Sequence, residues 1–443
     1  MRDLAFALML LVALPLALAR PFNAYLLWGW TAMLAPTTYF YGFMVGARVN
    51  LVCALLTLVL LALGRVPWRN YQNNTTTWLY ALFALHATLA YLFAYDGNPY
   101  NYPYYEFLLK SLLFAVVMPF FVRERVHFHA MFIVVALGLG IHGVLNGLKT
   151  ISSAGGHLMM GPQGTMLDDR NHLSVALALM LPLLLYLQTY TVNRLIRLGY
   201  LGAFCVLVLA VLGGGSRGGF IAVSVVGVWL ILVTRRKGLA VFLVVAAVAG
   251  FLAFAPENIT ERMSTIQDVE DDQSFMGRVF AWRVSSAIAM VNPVFGGGFH
   301  AVQVQAIWDN FKEASGLLGF LHLPVPTFRA KAAHSIYFEV MGDLGFVGLG
   351  LFLLILLRAL WGRRAIKRAT NRLGASYQWA GDMADMLMLA VLAYMVGGAS
   401  VSLGYYEVMY VIVMLMELLR QHVMRALTSP IHQAAQRAGQ GGA

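Results

Sequence analysis

Long apolar stretches alternate with short polar ones along most of this chain. The stretches are about 16 to 22 residues long, and they are continuous rather than alternating, which favours helices over strands. Each is long enough to cross a hydrocarbon core of about 30 Å, where a helix satisfies every backbone polar group internally. The pattern therefore predicts an all-α polytopic membrane protein.

The number of membrane crossings follows from the positions of these stretches. They centre near residues 11, 30, 56, 86, 113, 140, 181, 206, 225, 246, 348, 391 and 411. The first two are short and interrupted by Pro15, Pro21 and Pro36, so they form either two spans or a shallow hairpin. We predict about twelve transmembrane helices. The first resembles a signal peptide, but the apolar segments that follow at once favour an uncleaved helix or signal anchor.

Basic residues gather in every second loop, which predicts the orientation. The clusters are Arg65 and Arg69, Arg123 and Arg125, Arg194 and Arg197, Arg235 to Lys237, and the stretch from Arg358 to Arg372. The positive-inside rule places such loops in the cytoplasm. The loops 96–104, 150–171, 213–217 and 256–333 would then lie outside it.

The segment 256–333 differs in composition from its surroundings. It holds eight of the 20 acidic residues and two amphipathic stretches, Arg278 to Met290 and Val302 to Phe311. We predict a large periplasmic loop of short helices. The chain then divides into N-terminal transmembrane helices (1–255), this loop (256–333), C-terminal transmembrane helices (334–425) and a disordered cytoplasmic tail (426–443).

Composition and charge agree with a membrane protein. The chain is 60% hydrophobic and 12% charged, whereas a soluble domain carries about 25% charged residues. The net charge is +11; most of it fits the positive-inside rule, and the remainder fits an anionic substrate. The two cysteines, Cys53 and Cys205, lie in apolar runs far apart and indicate neither a metal site nor a disulfide framework.

Two arginines lie at the starts of predicted helices that follow external loops. Arg217 stands among five glycines in the stretch 213–219, where exposed amides at a helix N-terminus would bind an anion. The alternative is a flexible turn with a snorkelling arginine. Arg170 follows Asp169 and precedes His172 and is a further candidate; the alternative is that Asp169 simply caps the helix and Arg170 lies in the headgroup zone.

Further candidates lie in and after the large loop. Arg278 and Arg283 are five residues apart, so they need not share a helix face, and either could be a solvated surface charge. His334, where the chain re-enters the bilayer, is a candidate proton acceptor or an ordinary hydrogen-bonding histidine. His300 is a similar but weaker candidate. The acidic residues 268–272 are interpreted as a solvated loop, so no metal site is predicted.

The order of these motifs resembles the O-antigen ligase and polymerase superfamily. The matching stretches are Asp169-Arg170-Asn171-His172, Ser216-Arg217-Gly218, Gly277-Arg278 with Trp282, Gly296-Gly297-Gly298, and Ala333-His334-Ser335-Ile336-Tyr337. The resemblance covers residues 150–365, and the N-terminal third is similar to the branch of O-glycosylation ligases associated with exosortase systems. Ser335 departs from the family, in which many members carry Asn, so it receives no role.

This resemblance implies a metal-independent, inverting glycosyltransferase on a GT-C-type scaffold in the bacterial inner membrane, with its active site facing the periplasm and no cofactor. The donor would be a glycan linked to undecaprenyl pyrophosphate, and the acceptor lipid A-core. Arg217, Arg278 and Arg170 would bind the pyrophosphate, and His334 would activate the acceptor hydroxyl, with Arg283, His172 and His300 as secondary candidates.

Three alternatives stay open for the function. A polysaccharide polymerase or a protein O-oligosaccharyltransferase would share the donor chemistry and differ in the acceptor. A transporter of lipid-linked sugars belongs to another class, which often shows inverted repeats and charges at the membrane midplane. The distinctive charges here cluster at one face, which favours chemistry at the surface.

Overall fold

The computed structural model describes residues 2–153, 156–233, 273–322, 325–326 and 329–429. Within these ranges the regular elements are all helices. Nine α-helices precede residue 234: α1 (Arg2–Ala19), α2 (Pro21–Leu34), α3 (Val49–Ala62), α4 (Thr75–Leu92), α5 (Asn101–Val117), α6 (Arg125–Ser152), α7 (Arg170–Tyr190), α8 (Arg194–Gly213) and α9 (Arg217–Val233). Five follow residue 272: α10 (Gln273–Val291), α11 (Gln305–Phe311), α12 (Ile336–Leu373), α13 (Gln378–Gly397) and α14 (Glu407–Leu427).

Several of these helices have the length and apolar character of membrane spans. In the described part of the chain, seven helical segments qualify: Arg2–Ala19, Asn101–Phe120, Arg125–Ser152, Arg170–Tyr190, Arg194–Gly213, Ile336–Leu373 and Ala375–Ser400. Two shorter apolar helices, Val49–Ala62 and Arg217–Leu232, accompany them. The predicted all-α polytopic fold is thereby confirmed. The count of about twelve spans and the GT-C scaffold stay predictions.

The first two helices pack on each other as well as on the bundle. The chain reverses at Arg20, the residue between α1 and α2, and Pro21 opens α2. Phe6 of α1 stacks on Trp30 of α2, with 5.8 Å between ring centroids, and the Asp3 carboxylate accepts a hydrogen bond from the Gly42 amide at 2.9 Å. Whether both helices span the membrane stays a prediction.

Loops that carry the basic clusters meet at one end of the bundle. Arg125 lies over the rings of Trp379 and Tyr190, at 5.4 and 5.5 Å from their centroids. The neighbouring Arg123 carbonyl lies 2.8 Å from Nδ1 of His422 near the end of α14. The starts of α6 and α13 and the ends of α7 and α14 therefore lie together, as the alternation of basic loops predicts.

The opposite end gathers the loops that carry fewer basic residues. The side chain of Asn98, in the loop between α4 and α5, donates to the Phe299 carbonyl at 2.8 Å, and Asn101 accepts from the Phe299 amide at 3.0 Å. Helices α10 and α11 form a small apolar core here, in which Trp308 is fully buried. Short helices thus occupy the described part of the predicted large loop.

Helices α10 and α11 with their apolar core form what we call the cap. A backbone break in α12 connects this cap to the bundle. Gly345 has φ 70° and ψ −174°, which only glycine adopts readily, so the helical hydrogen bonds are interrupted there. The carbonyls of Gly342 and Asp343 instead accept hydrogen bonds from the amides of Gly297 and Gly298, at 2.8 and 3.0 Å. The glycine turn 296–298 is thereby held against α12, and it sets the position of His300.

Some sequence predictions concern residues outside the described ranges. These are the apolar stretch near 246, the basic cluster Arg235 to Lys237, the acidic residues 268–272 with the rest of the loop before 273, and the tail from 430.

Candidate functional site

His334 lies immediately before α12 in an uncommon backbone conformation. Its φ is 44°, a left-handed value that few non-glycine residues adopt. The His334 amide donates to the Ser402 hydroxyl at 3.0 Å, and Ser402 follows α13 in the chain. The Nδ1 atom of the half-buried imidazole has no hydrogen-bond partner among the described residues. Strained residues of this kind concentrate at functional sites, so His334 is a strong candidate.

The N-terminus of α9 packs against the same region. Gly218 lies so close to Ser400 that a Cβ atom would overlap the Ser400 hydroxyl, and this close approach explains why glycine follows Arg217. The Ser216 hydroxyl caps α9 by accepting from the Gly219 amide at 3.2 Å. Because Ser400 and Ser402 belong to one short segment, this contact brings the start of α9 beside His334.

The N-terminus of α7 joins them. Asp169 caps this helix by accepting from the amides of Asn171 and His172 at 2.7 and 3.4 Å. One turn further, Ser174 packs against Gly219 of α9. Helices α7, α9 and α12 therefore begin at the same place, and their positive dipole ends converge there.

Arg278 comes to this place on α10. The side chain of Lys331 covers the preceding residue, Gly277, whose Cβ would lie 2.7 Å from the lysine Nζ. One turn along the helix, Trp282 donates to the Ala333 carbonyl at 2.6 Å and stacks on Phe338, with 5.1 Å between centroids. These contacts hold α10 against the chain on both sides of His334.

We call the resulting group the basic cluster. Its members are Arg170, His172, Arg217, Arg278, Lys331 and His334. Arg217 is exposed and the other five are partly buried. The cluster contains the predicted histidine and the three predicted pyrophosphate-binding arginines. Lys331 is an addition that the sequence analysis missed, although its position three residues before His334 is a local signal.

The electrostatic environment keeps His334 neutral at neutral pH. Burial, the positive charge of Arg278 and the nearby His172 lower the pKa of His334 to about 4, and Asp169 opposes this effect. The pKa of Asp169 is itself lowered: burial raises it, but His172 and the amides that it caps outweigh burial. The cluster thus combines fixed cations with an imidazole that can accept a proton.

Arg283 and His300 lie elsewhere. Arg283 is 4% exposed; its guanidinium donates to the Lys312 carbonyl and lies over the ring of Phe280, 5.1 Å from the centroid. Arg283 therefore stabilises the interior of the cap by connecting α10 to the segment after α11. His300 contacts Glu339, which lies in the first turn of α12.

We call His300, Glu339 and Asp343 the buried triad, since their side chains are 4%, 3% and 1% exposed. The Nε2 atom of His300 lies 2.9 Å from Oε1 of Glu339, and potential ligand atoms of all three side chains lie within 4.8 Å of one another. Gly404 donates to the other Glu339 oxygen and Tyr405 to Asp343, each at 2.8 Å. Neither acid is among the site residues predicted from the sequence, although their spacing of four within an apolar helix was a signal.

Comparison with known protein families gives two matches. Residues 1–192 match a family of unknown function (DUF5935), and residues 202–353 match the family described as O-antigen ligase. None of the curated proteins matches the chain. The O-antigen ligase segment contains Arg217, Arg278 and His334 together with the buried triad, whereas Arg170 and His172 lie in the other segment. The resemblance predicted from the motifs is thereby confirmed over residues 202–353, which match the O-antigen ligase family.

Proposed function

We propose that this protein is an O-antigen ligase of the bacterial inner membrane. It transfers polysaccharide from undecaprenyl pyrophosphate to lipid A-core oligosaccharide at the periplasmic face, with inversion and without a metal ion on the diphosphate. The observation that carries this proposal is the basic cluster, where three helix N-termini and four basic side chains surround His334.

The cations of the basic cluster bind the donor diphosphate. Arg217 and Arg278 contact it, with Arg170 as a third contact, and Lys331 adds positive charge from the loop before His334. Arginine suits this role because its planar fork donates to two oxygens at once. Breaking the bond between sugar and diphosphate builds negative charge on the leaving group. Fixed guanidinium groups and helix N-termini stabilise that charge in the transition state.

His334 acts on the acceptor hydroxyl. Its imidazole is neutral because its pKa is about 4, so it can take the proton as the hydroxyl oxygen attacks the anomeric carbon. A bound diphosphate would offset the neighbouring cations and raise this pKa, which strengthens the base when the donor is present. Attack opposite the leaving diphosphate inverts the anomeric centre.

The acceptor is the part of the proposal that reconstitution tests best. Purified full-length protein would be incorporated into liposomes with glycan linked to undecaprenyl pyrophosphate, together with lipid A-core. We expect capped lipid A-core and release of the carrier diphosphate. Elongated carrier-linked glycan would identify a polymerase, and glycan on serine or threonine of an added protein would identify an O-oligosaccharyltransferase. Movement of the intact donor between leaflets without transfer would show a transporter.

Arg217 is tested by complementation of a ligase-deletion strain. Arg217→Ala should abolish high-molecular-weight lipopolysaccharide while the protein accumulates in the membrane as the wild type does. In vitro, loss of one such donor to the leaving group lowers the rate by about 10²- to 10³-fold. The matched control is Arg194→Ala, because Arg194 also opens a helix after a capping residue and is also exposed. Normal lipopolysaccharide ladders with Arg217→Ala would exclude this residue from the site.

A further inference from the structure

The buried triad has properties that a simple ion pair does not explain. His300 Nε2 and Glu339 Oε1 are 2.9 Å apart, yet neither atom has a partner in hydrogen-bond geometry among the described residues. The imidazole N–H direction therefore does not point at the carboxylate oxygen. Two buried polar atoms that approach this closely without a hydrogen bond between them can serve as ligands of one ion.

The distances agree with such an ion. Two neighbouring ligands in an octahedral site with bonds of about 2.1 Å lie about 3.0 Å apart, and in a tetrahedral site slightly further. The separation of Nε2 and Oε1 is close to the first value, and one potential ligand atom from each of the three side chains lies within 4.8 Å of the other two. One cation could thus contact all three side chains.

The charge of the triad also requires compensation. With both carboxyl groups ionised, the triad carries a net negative charge in either state of the imidazole, and all three side chains are buried. Among the described residues, no lysine or arginine forms an ion pair with Glu339 or Asp343. An uncompensated buried charge is strongly destabilising, and a divalent cation would remove it.

Surrounding groups hold the three side chains in place. Tyr104 of α5 stacks on His300, with 3.6 Å between centroids, and the Gln303 amide contacts Nδ1 of the same ring. Gly404 and Tyr405 fix the carboxylates from the other side. This is the outer shell that ligating histidines and carboxylates usually have.

We propose that His300, Glu339 and Asp343 form a binding site for one divalent transition-metal ion, Mn²⁺ or Zn²⁺. One imidazole nitrogen with two carboxylates suits ions that accept both nitrogen and oxygen ligands. The ion lies beside the first two turns of α12, which carry Glu339 and Asp343. It joins α12, the glycine turn before His300 and the segment 401–406, which also holds the His334 amide. The proposal does not rest on the proposed transferase function.

The test is direct metal binding by the full-length protein in detergent, purified through a tag without histidines. Elemental analysis of protein purified without chelator should show one divalent ion per chain. After EDTA treatment and dialysis, titration with Mn²⁺ alone, followed by its electron paramagnetic resonance signal, should show one site. Zn²⁺ alone is tested by competition and by thermal unfolding. Wild-type protein that binds neither ion, and whose melting temperature neither ion changes, would overturn the proposal.

Metal binding by substituted proteins tests whether the ion binds at the triad. Asp343→Asn and Glu339→Gln should abolish binding, and Gln303→Ala should weaken it by about 10- to 100-fold because it removes an outer-shell partner only. The matched control is Glu417→Gln, another buried acid, whose partners are Arg358 and Arg420 at the opposite end. Unchanged binding in both triad variants would overturn the assignment. If these variants do not fold, Gln303→Ala and the wild-type titration decide the question.

Discussion

Two groups of polar side chains flank the first turns of α12, and they differ in charge and exposure. The basic cluster is rich in basic groups and partly open to solvent, whereas the buried triad holds two acidic groups and is closed. An open cationic site needs a ligand to compensate its charge, and it changes state when that ligand arrives or leaves. A closed anionic site must be compensated permanently, by protons or by an ion, if the protein is to stay folded.

The difference suggests that one group serves the reaction and the other the stability of the fold. Residues of the basic cluster would affect the reaction more than folding, because these side chains are exposed or only partly buried. Residues of the triad would affect folding first, because they join α12 to Gly404 and Tyr405.

Replacement of His334 by Asn should lower the transfer rate by about 10²- to 10⁴-fold, the usual contribution of a general base. Asn tolerates the left-handed backbone better than most residues, so the local conformation with φ 44° should be kept. The reaction would be followed by capped lipid A-core in liposomes, and the melting temperature should stay near that of the wild type. A rate within tenfold of the wild type would exclude His334 as the base.

Replacement of His300 by Gln should destabilise the fold by about 3–5 kcal/mol, because it leaves the buried Glu339 carboxylate without its compensating partner. Thermal or denaturant unfolding in detergent measures this, with Arg217→Ala as the comparison from the basic cluster. Arg217 is exposed, and its replacement should leave unfolding almost unchanged. If both variants unfold alike, the proposed division between the two groups is wrong.

The basic cluster was largely predictable from sequence, and the triad was not. Arg170, Arg217, Arg278 and His334 each lie in a short motif next to a predicted helix start, and alternating basic loops placed those starts at one end. Glu339 pairs with His300, which is 39 positions away, so the contact depends on the break at Gly345 and on the glycine turn. No local pattern encodes such a contact.

Arg283 shows a second limit of sequence reasoning. Its spacing from Arg278 indicated that the two arginines need not share a face, but not which of them turns inward. The structure buries Arg283 against Phe280 and the Lys312 carbonyl, where the loop after α11 covers it. Tertiary packing therefore determines that Arg283 is buried in the cap and that Arg278 lies in the basic cluster. Composition and periodicity do not distinguish the two residues.

The pH dependence of transfer should report the environment of His334. With a pKa of about 4, His334 loses activity as a base only when pH falls toward that value, so kcat/KM should decline on the acid side near pH 4. Arg278→Gln removes a positive neighbour and raises this pKa, so the decline should begin at higher pH. Arg194→Gln, at the other end of the bundle, should leave the profile unchanged. An unshifted profile for Arg278→Gln would separate Arg278 from His334.

The same pKa has a consequence for stability. The folded-state pKa of about 4 lies below the unfolded value of about 6.5, so the unfolded chain binds more protons between these values. The contribution of His334 should therefore make the protein less stable as pH falls from about 6.5 to 4. The free energy of unfolding of His334→Asn should depend less on pH in this window than that of the wild type.

The smallest predicted effect concerns Ser402, whose hydroxyl accepts the His334 amide at 3.0 Å. Ser402→Ala removes one hydrogen bond from a strained backbone, a loss of about 1 kcal/mol, so the transfer rate should fall by less than tenfold with KM unchanged. Ser402→Thr keeps the hydroxyl and should restore the rate. Because Ser402 acts through His334, adding Ser402→Ala to His334→Asn should lower the rate little further. A full additional loss in the double variant would mean that Ser402 acts on substrate directly, and the role of the segment 401–406 would then extend beyond holding His334.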